Sequence, residues 1–167
     1  DPARIASISR ARQNWLPAIE VRGEGIFLTL LEDEVARWEN SPEVVARAAT
    51  ISLAANEGRL GGLPAAENVD PGSPRFLLVH TLAHALMRQL SLECGYSTSS
   101  LRERLYVRAG VFPMAGVLIY TATPDSDGTL GGLQRQGGAE RMRRIFQSAI
   151  ASMQWCSSDP LCIEGAA

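Results

Sequence analysis

From Ile19 to Leu31 the chain reads IEVRGEGIFLTLL, in which β-branched and aromatic residues are separated by polar ones, and this pattern predicts a strand. Gly23 and Gly25 inside it permit a bulge or a close backbone approach. The period then changes. Glu32–Trp38 reads as a helix, and Pro42 opens another in which Val44, Val45, Ala48, Ala49 and Leu53 recur at the spacing of a buried stripe. A Gly/Pro-rich connector occupies Asn56–Pro74.

The clearest buried helix spans Arg75–Glu93, with Ser73 as its N-cap and Pro74 at its first position. It is apolar on almost every side, except for a ridge of His80, Thr81, His84, Arg88 and Ser91 at three- and four-residue spacings. Gly95 is a natural stop, and Ser97–Ser100 caps a short turn leading into Leu105–Arg108. Gly116–Thr121 has the length and apolar composition of a central strand. A Gly-rich loop, Ala122–Gly138, follows it. Beyond the loop, Met142, Ile145, Phe146, Ala149, Ile150 and Met153 keep the period of an amphipathic helix, and Trp155–Ala167 keeps none. With no internal repeat and no second core, the pattern predicts one α/β domain, with α+β as the variant. Its architecture is a small mixed sheet covered by helices, with a C-terminal cysteine segment.

Composition narrows the function. The chain has 167 residues and is 46% hydrophobic, enough for one core over residues 1–167. It starts without Met and stops without a closing element, so we expect it to be a piece of a longer protein. No apolar run approaches the ~20 residues that span a bilayer, and no signal peptide is legible, which predicts a cytoplasmic location without membrane partners. All 16 basic residues are Arg. Without lysine, the chain offers neither a Walker-type phosphate lysine nor Schiff-base chemistry. A formal net charge of −2 gives no global attraction to nucleic acid, so any DNA contact must be a local patch. Residues 71–167 hold more Arg than acids, whereas residues 1–70 hold fewer.

Three groups of residues carry candidate chemistry. Cys156 and Cys162 flank the Asp159-Pro160 turn in WCSSDPLC, which can aim two thiolates at one ion or leave two partly buried thiols. A four-ligand site would need two more donors, from beyond Ala167, from Cys94 or from the histidines. His80 and His84 present two imidazoles at i, i+4, either to a metal or as a buried hydrogen-bonded ridge that continues to Arg88. Thr81 stands where a zinc protease of the HExxH type carries its general base. Arg135, Arg141, Arg143 and Arg144 surround the expected start of the last helix, where they suit phosphate or form an ordinary solvated face. Ser97–Ser100, Asp125 and Asp127 lack catalytic partners and read as capping and loop residues.

GEGIFL at 23–28, HTLAHAL at 80–86, CGYSTSSLRERLY at 94–106, GVLIYTATPDSDGTLGGL at 116–133 and WCSSDPLC at 155–162 together resemble the MrfA-like zinc-binding domain associated with DNA helicases. The likeness runs from Trp15 to Cys162 and is strongest to the form found in the DISARM anti-phage system. It implies a four-cysteine zinc site whose first pair is Cys156 and Cys162, with a second pair beyond residue 167. It also implies a superfamily 2 helicase partner that hydrolyses ATP, and action on DNA. We therefore expect a non-catalytic, helicase-associated, zinc-binding and DNA-contacting module of antiviral defence. The alternatives are a metal-dependent hydrolase or nuclease built on His80 and His84, and a purely structural interaction domain.

Overall fold

The computed structural model describes residues 14–15, 23–56, 70, 72–121 and 132–154. Within them, three strands and five helices occur in the order β1 (Gly25–Thr29), α1 (Glu32–Glu39), α2 (Pro42–Asn56), α3 (Pro74–Cys94), β2 (Leu101–Arg108), β3 (Met114–Thr121), α4 (Gly132–Gln136) and α5 (Ala139–Met153). The mixed α/β architecture holds, but the sheet is not mixed. Its order is β1-β3-β2 and both ladders are antiparallel, because residues 109–113 return β2 onto β3 as a hairpin. This is the α+β variant. The apolar run Gly116–Thr121 lies in the central strand as expected. Of the strand expected over Ile19–Leu31, residues 19–22 lie outside the described residues.

Alternation along the strands sorts their side chains. Ile26, Leu101, Val117 and Ile119 face a core that α3 fills with Val79, Ala83, Leu86 and Leu90, and α5 adds Ile145 and Ala149. The ends of α3 are set as its sequence predicts. Ser73 accepts a hydrogen bond from the Phe76 N–H, and Gly95 closes the helix at a φ of 72°, where a Cβ would be strained. At Gly25 a Cβ would stand 3.0 Å from the Ile119 carbonyl oxygen, so this glycine does mark a close backbone approach.

Several expectations change. In α2 the packed side is Val44, Ala48 and Ile51, while Val45, Ala49 and Leu53 are exposed, because the helix touches α1 and α3 along one edge only. In α5, Ile150 and Met153 remain exposed. The Gly-rich segment expected to be loop through Gly138 contains the helical turn α4. Glu24 secures that turn. Its carboxylate accepts the Leu133 N–H (3.1 Å), the Gln134 N–H (3.1 Å) and the Tyr96 hydroxyl (2.6 Å). Donation to this carboxylate holds the Tyr96 phenol protonated, with its pKa pushed up to about 12.

A second polar latch fixes the start of α3. Arg75 is 3% exposed, and its guanidinium donates to both oxygens of Glu32 (2.7 and 2.6 Å) and both of Glu39 (2.9 and 2.7 Å). It also reaches the carbonyl oxygens of Arg108 and Met114 at the ends of the hairpin. One side chain thus ties α1, α3 and the sheet together.

Candidate metal centre

The i, i+4 spacing on α3 places His80 and His84 on one helical face, one turn apart. A third member comes from the sheet. In β2, Leu101, Glu103, Leu105 and Val107 share the core-facing side, so Glu103 is aimed at α3 rather than at solvent. The Nε2 atoms of His80 and His84 are 2.9 Å apart, and Oε1 of Glu103 lies 3.4 Å from the first and 3.5 Å from the second. The Phe76 ring, 5.3 Å from that of His80, packs beside the pair.

The cluster is short of hydrogen-bond donors. The side chains of His80 and Glu103 are 24% and 20% exposed, and that of His84 is 58% exposed. Oε2 of Glu103 is buried and has no hydrogen-bond partner among the described residues. A carboxylate oxygen removed from water without a partner costs roughly 1–3 kcal/mol. Between the imidazoles, one nitrogen must donate and the other accept, unless a shared cation takes both lone pairs. The imidazoles also open onto a cavity of about 270 Å³, lined in addition by Thr81, Arg88, Ser152 and Met153. Arg88 is exposed and has no ion-pair partner among the described residues.

The structure therefore brings His80, His84 and Arg88 to one site and adds Glu103, which the sequence reading missed. A signal was present: an acid two residues from Leu101 and two from Leu105 in LRERL stands in phase with the buried side of a strand. Ser91 leaves the ridge, since its hydroxyl donates to the Tyr96 carbonyl oxygen. Cys94 does not join the histidines. Its Sγ rests 3.9 Å from the Gly132 carbonyl oxygen, and burial pushes its thiol pKa up, away from the thiolate a metal needs. Arg135, Arg141, Arg143 and Arg144 are exposed on α4 and α5, and Arg143 pairs with Glu140 at 3.0 Å. Cys156 and Cys162 lie outside the described residues.

Among the described residues, His80, His84 and Glu103 form the one group of three whose donor atoms converge closely enough for a metal. A profile of the MrfA Zn-binding domain matches residues 82–166, just over half of the chain. The chain belongs to the MrfA Zn-binding domain family. It is also 37% identical over 165 residues to the DISARM protein DrmB of Bacillus paralicheniformis, covering 97% of this chain and 28% of that protein. The chain thus spans little more than a quarter of that relative's length.

Membership in the Zn-binding domain family implies zinc, and the described donors can be compared with it. Two imidazole nitrogens and one carboxylate oxygen are hard-to-borderline donors that zinc accepts. His84 and Glu103 fall inside the span matched by the family profile, and His80 lies two residues before it. Arg75 and Glu24, neither singled out from the sequence, prove to be structural latches. Among the described residues, no helix is long and apolar enough to cross a membrane.

Proposed function

We propose that this chain is the zinc-binding module of a DrmB-like anti-phage protein, joining it to a DNA helicase or translocase and contacting DNA without performing chemistry itself. The observation that carries this reading is the 37% identity to DISARM protein DrmB along nearly the whole chain. The zinc is held by Cys156, Cys162 and two donors outside residues 1–167. ATP hydrolysis belongs to the partner, since this chain has no lysine to offer a triphosphate.

Three surfaces support the contacts. An apolar groove of about 830 Å³ runs between α1, α3 and α5, where Leu31, Trp38, Leu82, Phe146 and Met153 offer a partner protein a surface to bury. For DNA, Arg135, Arg141, Arg143 and Arg144 project outward. On the outer side of the sheet, Arg102 and Arg104 stand with Phe27 and Tyr106, a combination suited to phosphates and exposed bases.

The test replaces Arg141 and Arg144 with Ala in the helicase-bound full-length protein. DNA affinity is expected to fall similarly across unrelated sequences, and the log–log salt slope to flatten by about 2. An unchanged affinity and slope in the folded double variant would favour a purely structural interaction domain. The convergence of Glu103 on the two histidines supports a second reading, a metal-dependent hydrolase. Against it, the carboxylate at the site would be spent as a ligand and Thr81 is no general base. Metal-dependent turnover of DNA or ATP by the full-length protein alone, abolished by His84→Ala, would establish this second reading.

A further inference from the structure

We propose that His80, His84 and Glu103 form a second divalent-metal site, independent of the cysteine segment, that binds zinc or a similar first-row cation through Nε2, Nε2 and Oε1. The argument begins with distances. An ion bonded at ~2.0–2.1 Å to tetrahedrally arranged ligands holds them ~3.3–3.4 Å apart. The two edges of this triangle that meet at Glu103 are 3.4 and 3.5 Å, and the imidazole–imidazole edge is 2.9 Å. A few tenths of an ångström at His84, the most exposed of the three, completes the match.

Charge points the same way. A shared cation satisfies both imidazole lone pairs and balances the carboxylate, and the buried Oε2 atom gains either a bidentate role or a polarised neighbour. Among the described residues the two imidazoles reach only Oε1 of Glu103, and no group reaches its Oε2. Arg88, the nearby cation lining the cavity, has no ion-pair partner among the described residues and does not pair with Glu103. The ridge also differs from an ordinary buried polar network, in which every donor and acceptor is matched.

Donor chemistry selects the metal. Two imidazoles with one carboxylate suit zinc and its first-row neighbours better than magnesium or calcium, which prefer oxygen donors. Three protein ligands leave one tetrahedral position open. The imidazoles face the cavity beside Arg88 and Ser152, so a small anion is the class of group that this position would admit. When filled, the site bridges α3 to β2.

Cobalt(II) titration of the metal-free full-length protein separates this site from the cysteine site, because thiolate ligation gives intense charge-transfer absorption and His/Glu ligation gives ligand-field bands alone. Two classes of cobalt are expected. The thiolate class disappears in Cys156→Ser/Cys162→Ser. The other survives that change, is displaced by zinc in the unaltered protein, and is lost in His84→Ala and in Glu103→Gln. His84 is largely exposed and Gln keeps the shape of Glu, so both variants should keep the wild-type far-ultraviolet dichroism. If the cysteine variant fails to fold, the two single variants in the otherwise unaltered protein still report on the second class. Thiolate-bound cobalt alone in the unaltered protein, or a second class indifferent to both variants, would overturn the proposal. Absence of the charge-transfer class would count against the cysteine site and leave this one standing.

Discussion

Arg75 and His80 stand less than two turns apart on α3, and each meets acidic side chains delivered by other elements. Around Arg75 every donor direction is used: four charge-assisted hydrogen bonds go to Glu32 and Glu39, and two backbone carbonyls lie within reach. Around His80 the accounts stay open, with two nitrogens facing each other and one buried carboxylate oxygen without a partner among the described residues. A saturated cluster explains itself as structure, because nothing added to it would gain a bond. An unsaturated cluster beside a cavity costs stability until something enters, and this is why the second cluster is the candidate site.

The largest effect that would sharpen this contrast is Arg75→Ala. Removing a buried guanidinium leaves Glu32 and Glu39 facing each other, and chemical denaturation should show a loss of about 3 kcal/mol, at the low end for a broken buried pair because Glu32 is 36% exposed. A loss under 1 kcal/mol would mean that the latch holds nothing. The Glu24 latch is another saturated cluster. Tyr96→Phe takes one donor from its carboxylate and should cost about 1.5 kcal/mol in the same assay.

At the open cluster the sign should reverse. In metal-free protein, Glu103→Leu removes an unpartnered oxygen and places an apolar side chain between Leu101 and Leu105, so stability should hold or rise by about 1 kcal/mol. Destabilisation comparable to Arg75→Ala would show that the cluster is closed after all, and the contrast would fail.

The smallest effect is in the acid limb of stability. Hydrogen bonding from Arg75 holds the Glu32 carboxyl below the ordinary glutamate value of about 4.3. A depressed carboxyl contributes stability that is present above that value and is lost as pH falls through its lower folded value. Denaturation midpoints measured downward from pH 5 should therefore fall more steeply for the unaltered protein than for Glu32→Gln. Parallel curves would remove Glu32 from the account.

Much of the fold could be read from local rules. The caps of α3, the central strand and the inward side of α5 through Met142, Ile145 and Ala149 follow from residues within a turn or two of one another. The stripe of α2 was right at Val44 and Ala48 but too broad at Val45, Ala49 and Leu53, because its apolar positions extend around the helix and only docking chooses among them. At the site, the histidine pair was legible because i, i+4 spacing is itself a geometry. Glu103 was harder to see, since the two arginines beside it disguise a strand whose other inward residues are apolar.

What the sequence determined by itself is most of the elements, with α4 and the full strand β2 as the exceptions, the absence of lysine chemistry and the motif order that marks the MrfA Zn-binding domain family. Capping, periodicity and composition act over short stretches, so a linear reading reaches them. Tertiary structure alone decided that Glu103 meets His80 and His84, that Arg75 is enclosed by Glu32 and Glu39, and that Glu24 holds the turn at Leu133. Each of these contacts joins residues 19 or more positions apart, and its existence depends on strand register and helix docking. A one-residue slip of β2 would turn Glu103 to the opposite face of the sheet and dissolve the site without changing a single motif.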